Sequence, residues 1–222
     1  TALYGSRAAS GVVMITTKTG KKNKGLGIEY NGGLQWSTIL RLPEFQNEFG
    51  MGWNGDHTEL ENGSWGPRFD GSMQLWGNKY ENSQKLKPYS PIKNNIKDFF
   101  DAGFRYNNSV SFNGATDKSE YYVSFSQISD DGMVPTDADS YDKYTFSARG
   151  SHKVKALTFS SSLNYSYQKN KFATTGQGLT MLNSLYQTPR DVSIISLQDQ
   201  NDIFNSPGYF YTPYGVMNPY YI

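Results

Sequence analysis

The strongest constraint on the fold of this chain is an alternation of apolar and polar residues that recurs five times. Between Ile28 and Trp36, apolar residues or glycine occupy the even positions, and Glu29, Asn31 and Gln35 lie between them. Similar alternation follows in segments 106–113, 121–126, 143–149 and 157–167. Successive side chains of a strand point to opposite faces, so this pattern predicts strands with one apolar and one polar face. The sequence therefore predicts an all-β, antiparallel fold of about five strands.

The connections between these strands alternate in length. A long connection over 38–104 is followed by a short turn, a medium loop, another short turn and a second long segment over 170–222. Outer-membrane barrels have short periplasmic turns and long extracellular loops. The predicted strands are also long enough for a tilted membrane crossing. Aromatic residues near their ends would form an interface girdle: Trp36, Tyr106, Tyr165 and Tyr167. The pattern favours part of a transmembrane β-barrel, although a soluble sandwich with the same alternation remains an alternative.

Composition narrows the classes of function. The net charge is +1, so no strong overall field attracts nucleic acid. The absence of cysteine excludes disulfides and thiolate metal sites. The histidines, His57 and His152, fall in a predicted loop and a predicted turn, and the sequence has no hydrolase, phosphate-loop or zinc-protease motif. We therefore expect no enzymatic activity, no catalytic residues, no cofactor and no metal.

The long connection over 38–104 is the best candidate for a functional segment, because long irregular connections are uncommon in compact domains. It contains Trp53, Trp65 and Trp76, whose ring faces could stack on sugars as substrate or lid contacts. The favoured alternative is that these rings pack the loop against itself. No long strand is evident in this connection, and a short helix is predicted within 91–100.

Three further patterns carry weaker expectations. An acidic segment could offer oxygen ligands to calcium through Asp130, Asp131, Asp137, Asp139 and Asp142, but its spacing does not fit an EF-hand and a solvated loop is favoured. Helical spacing of Leu179, Leu182, Leu185 and Tyr186 predicts a short amphipathic helix. The tyrosine-rich tail over 208–222 is predicted to be a loop or an incomplete strand.

The opening residues carry a specific motif. Tyr4, Gly5, Ser6, Arg7 and Gly11 belong to a run that continues through Ile15-Thr16-Thr17-Lys18. This run resembles the end of the plug domain in SusC/RagA-type TonB-dependent transporters, with Ser10 where asparagine is commoner. We accordingly expect the C-terminal end of a plug over 1–20, a linker over 21–25, and the N-terminal part of an outer-membrane β-barrel over 26–222.

The resemblance implies a function that the residue pattern alone does not. It implies a plugged barrel of roughly 22 strands in the outer membrane of Bacteroidetes, which imports oligosaccharides or peptides. The implied partners are outer-membrane lipid, a SusD-like surface lipoprotein, and TonB acting through an N-terminal segment that we expect to precede this chain. Two alternatives are a soluble or surface carbohydrate-binding β-domain and a TonB-dependent receptor for siderophores or cobalamin. For Arg7, a structural ion pair is favoured over a direct transport role.

Overall fold

The structure, a computed structural model, describes residues 13, 18–20, 22, 27–176, 178–211 and 216–221. Its elements are β1 (Ile28–Ser37), β2 (Met73–Tyr80), β3 (Ser83–Pro88), β4 (Gly103–Ala115), β5 (Ser119–Asp130), β6 (Tyr141–Val154), β7 (Leu157–Asn170) and α1 (Met181–Gln187). The motif of Tyr4, Gly5, Ser6, Arg7 and Gly11 lies outside the described residues. The expected plug segment therefore stays a prediction.

A five-stranded sheet in the order β1-β4-β5-β6-β7 confirms the predicted all-β fold. Its later strands follow one another as neighbours because the connections over 116–118, 131–140 and 155–156 are short. In the part of the chain that the structure describes, β1 and β7 are the two edges, and no closed barrel forms.

The described residues contain no helix that combines the length and the apolar character needed to cross a membrane.

The chain divides into two compact units. The first comprises Thr1–Gly33, Asn107–Ile128 and Lys143–Gln168, and the second comprises Leu34–Tyr106, Ser129–Asp142 and Lys169–Ile222. Within the first unit, Ile28, Phe112 and Phe146 of the apolar rows are exposed, as are five residues of β7: Leu157, Phe159, Leu163, Tyr165 and Tyr167. Leu34, in the second unit, is also exposed, and Val110 is half-buried. None of these residues belongs to a core cluster, which is not what a soluble sandwich requires.

Contacts across strands of the first unit agree with the predicted faces. On the apolar rows, the Tyr30 hydroxyl donates to Asn108 Oδ1 at 2.6 Å, and the ring centroids of Phe125 and Tyr144 lie 6.4 Å apart. On the polar face, Glu29 of β1 and Arg149 of β6 both contact Lys18, which lies outside the strands: the Lys18 ammonium lies 3.0 Å from Glu29, and Arg149 donates to the Lys18 carbonyl at 3.3 Å.

The second unit contains a hairpin that the sequence analysis missed. Strands β2 and β3 pair antiparallel through Leu75 opposite Leu86 and Trp76 opposite Lys85. These strands have eight and six residues, shorter than those of the five-stranded sheet, so the absence of a long strand within 38–104 did not exclude them. The apolar side chains Leu75 and Leu86 are exposed, whereas Trp76 is buried and Lys85 is half-buried. Because the leucines of this hairpin are exposed and a lysine faces inward, a search for strands with buried apolar rows does not detect it.

Two clusters of buried residues form the core of the second unit. One contains Met51, Trp76, Val192, Leu197, Phe210, Tyr211 and Val216. The other contains Ile96, Phe99, Met181, Leu185 and Ile194. Both clusters contain residues from the segment that precedes β4 and from the segment that follows β7, so these two long connections pack on each other.

The local predictions in these connections had mixed outcomes. The predicted helix is confirmed as α1, which buries Leu185 and begins where Thr180 Oγ1 accepts a hydrogen bond from the Asn183 amide, as an N-terminal cap does. Its predicted apolar face is only partly right, because Leu182 is half-buried but Leu179 precedes the helix and is exposed, as is Tyr186. The helix predicted within 91–100 is reduced to a 3₁₀ turn at Lys97–Phe99. In the tail, the described residues 208–211 and 216–221 contain no strand, in agreement with the loop that was predicted.

Candidate functional site

Two exposed tryptophans of the second unit are connected by the backbone hydrogen bonds of a tight turn. Trp53 and Asp56 exchange two backbone hydrogen bonds of 3.0 Å, and Asn54 and Gly55 between them have φ of 54° and 86°. Positive φ at both central residues is the geometry that an Asn-Gly pair favours. The Gly55 amide also donates to the Trp65 carbonyl at 2.9 Å, so the turn places Trp53 and Trp65 side by side along the backbone.

These tryptophans line an open pocket of about 370 Å³. Other aromatic rings in its wall come from Phe45, Phe49 and Tyr186. Its polar groups include Asn62 and Gln187, whose side chains are hydrogen-bonded to each other, and Glu61, whose Oε1 accepts from the amides of Asn62 and Gly63. The pocket therefore combines aromatic faces with amide groups, and it draws on residues from both long connections.

Arg190 fixes the wall of this pocket. Its Nε donates to the Gln46 carbonyl at 3.0 Å, and its Nη2 donates to Asn47 Oδ1 at 2.9 Å and to the Ile92 carbonyl at 3.1 Å. The guanidinium also lies 5.3 Å from the centre of the Phe45 ring. Arg190 is buried, and burial lowers the pKa of its guanidinium. These contacts indicate that Arg190 positions the backbone of the pocket wall and the Phe45 ring.

The third predicted contact residue, Trp76, lies elsewhere. It is only 3% exposed, its ring packs edge-on against Tyr211, and it lines a separate cavity of about 290 Å³. The structure therefore brings Trp53 and Trp65 together but not Trp76. The use of any of the three as a substrate contact stays a prediction, and the position of Trp76 fits the self-packing that was favoured.

Sequence reasoning missed the partners of Trp53 and Trp65. Asn54-Gly55 is a strong turn signal that was available in the sequence and would have located the turn. No local signal could have found Gln187, because it lies 125 residues from the Asn62 that it contacts.

The acidic segment is organised by hydrogen bonds within the chain. Asp139 accepts from the amides of Met133 and Val134 at 3.0 and 2.8 Å, and Ser129 donates to Asp142 at 2.7 Å. A hydrogen bond with Asp137 raises the pKa of Asp131. Within the described ranges, no group of three or more His, Asp or Glu side chains is placed to hold a metal ion.

We expect the second unit to lose stability as the pH falls, because of His57. Its Nε2 is buried without a hydrogen-bond partner among the described residues, and its ring lies edge-on to Tyr89 at 5.5 Å. Burial lowers the pKa of His57, and Lys87 lowers it further, while Asp191 and Glu59 oppose the shift. A lowered pKa in the folded state stabilises the protein above about pH 6.5 and less as the pH falls.

The midpoints of urea unfolding, measured between about pH 7.5 and pH 5.5, test this effect, since that window spans the ordinary pKa of histidine. His57→Gln should flatten the fall in stability over that window, whereas the control His152→Gln, outside this unit, should leave it in place. An unchanged slope in His57→Gln would contradict the assignment.

The fold and the site together define an all-β protein with long, exposed strands and aromatic-rich connecting loops. Over 181 residues, the chain is 25% identical to the "TonB-dependent receptor SusC" of Bacteroides thetaiotaomicron. The similarity covers 81% of this chain but only 16% of that receptor, so the chain spans about a sixth of the length of the curated relative it matches. No family model matches the chain. The similarity supports a relationship to TonB-dependent receptors.

Proposed function

We propose that this chain is part of a TonB-dependent importer of oligosaccharides, or of peptides, in the outer membrane of a Gram-negative bacterium. Residues 26–222 form the first part of its barrel, and residues 1–20 form the end of its plug. Its partners are TonB, a SusD-like surface lipoprotein and outer-membrane lipid. The similarity to SusC supports this assignment, as does the resemblance of the opening motif to SusC/RagA-type plugs.

The observation that carries the proposal is the exposure of the apolar rows. On β4 and β5, Phe112, Tyr121 and Phe125 are 43%, 52% and 45% exposed, whereas Ser111 on the polar row is 6% exposed. Contiguous apolar patches of this kind are rare on soluble proteins. Because alternate residues of a membrane strand face lipid, hydrocarbon is the environment that such rows fit.

Leu163→Arg should discriminate between the importer and a soluble β-domain. Leu163 lies at the middle of β7 (Leu157–Asn170), so in a membrane strand it faces the centre of the bilayer. Arginine there should destabilise the folded protein by about 2–4 kcal/mol. At a water-facing position the same change should stay within about 0.5 kcal/mol. The measurement is urea unfolding of the whole protein in phospholipid vesicles.

Ser162→Arg is the matched control, since Ser162 is the neighbour on the polar row. It should leave stability nearly unchanged. Equal, small effects of both variants would favour the soluble carbohydrate-binding domain and contradict the importer.

Uptake experiments separate the importer from a siderophore or cobalamin receptor. Deletion of the gene should abolish growth on one class of glycan or peptide, and loss of TonB should have the same effect. A growth defect confined to iron or cobalamin limitation would support the receptor alternative instead.

A further inference from the structure

We propose that the pocket of Trp53 and Trp65 binds an uncharged sugar ring of an oligosaccharide. The inference rests on the proposed import function and deepens it, because it selects sugars over peptides as the cargo. The volume of the pocket is about 370 Å³. Pockets that hold small ligands begin at about 300 Å³, so this one has room for a sugar ring.

The exposed indoles provide stacking surfaces. Trp53 is 55% exposed and lies on a hydrogen-bonded turn, and Trp65 is 69% exposed although its backbone is hydrogen-bonded to that turn. An aromatic ring has a negative face, and the C–H groups on one side of a sugar ring are apolar with slight positive charge. Stacking therefore places the slightly positive C–H groups of the sugar on the negative face of the indole. Because the turn already holds the indoles in place, binding loses less conformational entropy.

Amides in the wall complement the hydroxyl groups of a sugar. Asn62 donates from Nδ2 to Gln187, and Gln187 donates from Nε2 to Asn183. An amide nitrogen carries a pair of hydrogens, so each of these groups keeps a donor after its internal hydrogen bond. Because the amides hold one another in place, their free donors have fixed directions.

The charged residues of the wall argue against an anionic ligand. Arg190 directs its Nε and Nη2 at three protein oxygens, so it does not present a two-pronged guanidinium to a carboxylate or phosphate. Glu61, the other charged residue of the wall, is of opposite sign and would repel an anion.

The contacts also argue against a peptide. Peptide recognition usually uses an open strand edge, a helix groove or capture of a charged terminus. The wall of this pocket is lined mainly by residues within 45–49, 61–65 and 186–190, together with Trp53. The backbone N–H and C=O groups of Trp53 and Trp65 are already paired within the chain, so the two tryptophans offer no open strand edge to an extended peptide.

The test is isothermal titration calorimetry on the whole protein in detergent. The probes are neutral hexasaccharides from glucan, xylan, mannan and fructan, together with hexagalacturonate and an uncharged hexapeptide. At least one neutral sugar should bind, and Trp65→Ala should weaken that binding about ten- to a hundredfold, as expected for removal of an aromatic hot spot. The exposed side chain of Trp65 makes loss of folding a small concern, and circular dichroism checks it.

Two further variants sharpen the result. Gln187→Leu removes an amide without changing the tryptophans and should weaken binding about tenfold, as expected for a lost hydrogen bond. Trp36→Ala removes a tryptophan that is similarly exposed but lies on β1, outside the pocket, and should leave binding unchanged.

Several outcomes would overturn the inference. They are binding of no neutral sugar, equal binding by Trp65→Ala and the unmodified protein, or Trp65-dependent binding of the peptide or hexagalacturonate. Membrane placement and TonB-dependent uptake are measured separately. A negative result for sugar binding would therefore leave the importer proposal intact.

Discussion

Asp191→Asn should destabilise the second unit by about 3–5 kcal/mol, because it leaves a buried lysine without its counter-ion. The side chain of Asp191 is fully buried and pairs with Lys87, whose side chain is 7% exposed. Asp191 also accepts a hydrogen bond from the Met51 amide at 2.9 Å. Burial lowers the pKa of Lys87 while Asp191 opposes that shift, as expected for a charge that depends on its partner.

The emission of buried Trp76 during urea unfolding measures this effect, because Lys87 lies 5.7 Å from the centre of that ring. Glu48→Gln is the matched control, because it breaks the exposed ion pair of Glu48 with Arg68. Loss of an exposed pair should cost less than about 1 kcal/mol. The double variant Lys87→Met with Asp191→Asn should be more stable than the sum of the single effects predicts. Additive effects would contradict the coupling of the two charges.

The Lys87–Asp191 pair also shows why sequence alone could not predict the loops. Lysines on β3 suggest a solvent-facing strand, but Lys87 is neutralised by an aspartate 104 residues away. Since the pairing of these charges is non-local, the inward face of β3 has no local signal. Leu86, on the opposite face, is exposed, so its apolar side chain wrongly suggests that this face is the buried one.

The five-stranded sheet was predictable for the opposite reason. Each of its strands carries its own alternation, and Ile28 to Trp36 needs no distant partner to define its two faces. The sequence also identified Trp53 and Trp65 as candidate contacts, since tryptophans in a long connection are conspicuous. It could not assemble their pocket, because Tyr186 and Arg190 come from the other long connection.

Phe99→Ala should destabilise the second unit by about 3–5 kcal/mol through the cavity that it creates. Phe99 is 2% exposed and packs edge-on against Phe100 at 5.2 Å and, at a tilt, against Tyr220 at 4.9 Å. Its cluster includes Leu185 of α1. Because Tyr220 packs against both core clusters, loss of Phe99 should loosen both.

Urea unfolding followed by Trp76 emission tests this coupling, since Trp76 belongs to the cluster without Phe99. The control is Phe172→Ala, which removes a phenylalanine that is 80% exposed. A change at so exposed a position should alter stability by less than about 0.5 kcal/mol. If Trp76 kept its original midpoint in Phe99→Ala while the α1 region unfolded early, the two clusters would be independent. If they unfold together, as we expect, residues near α1 such as Tyr186 and Gln187 hold their pocket positions only while the distant Phe99 core is intact.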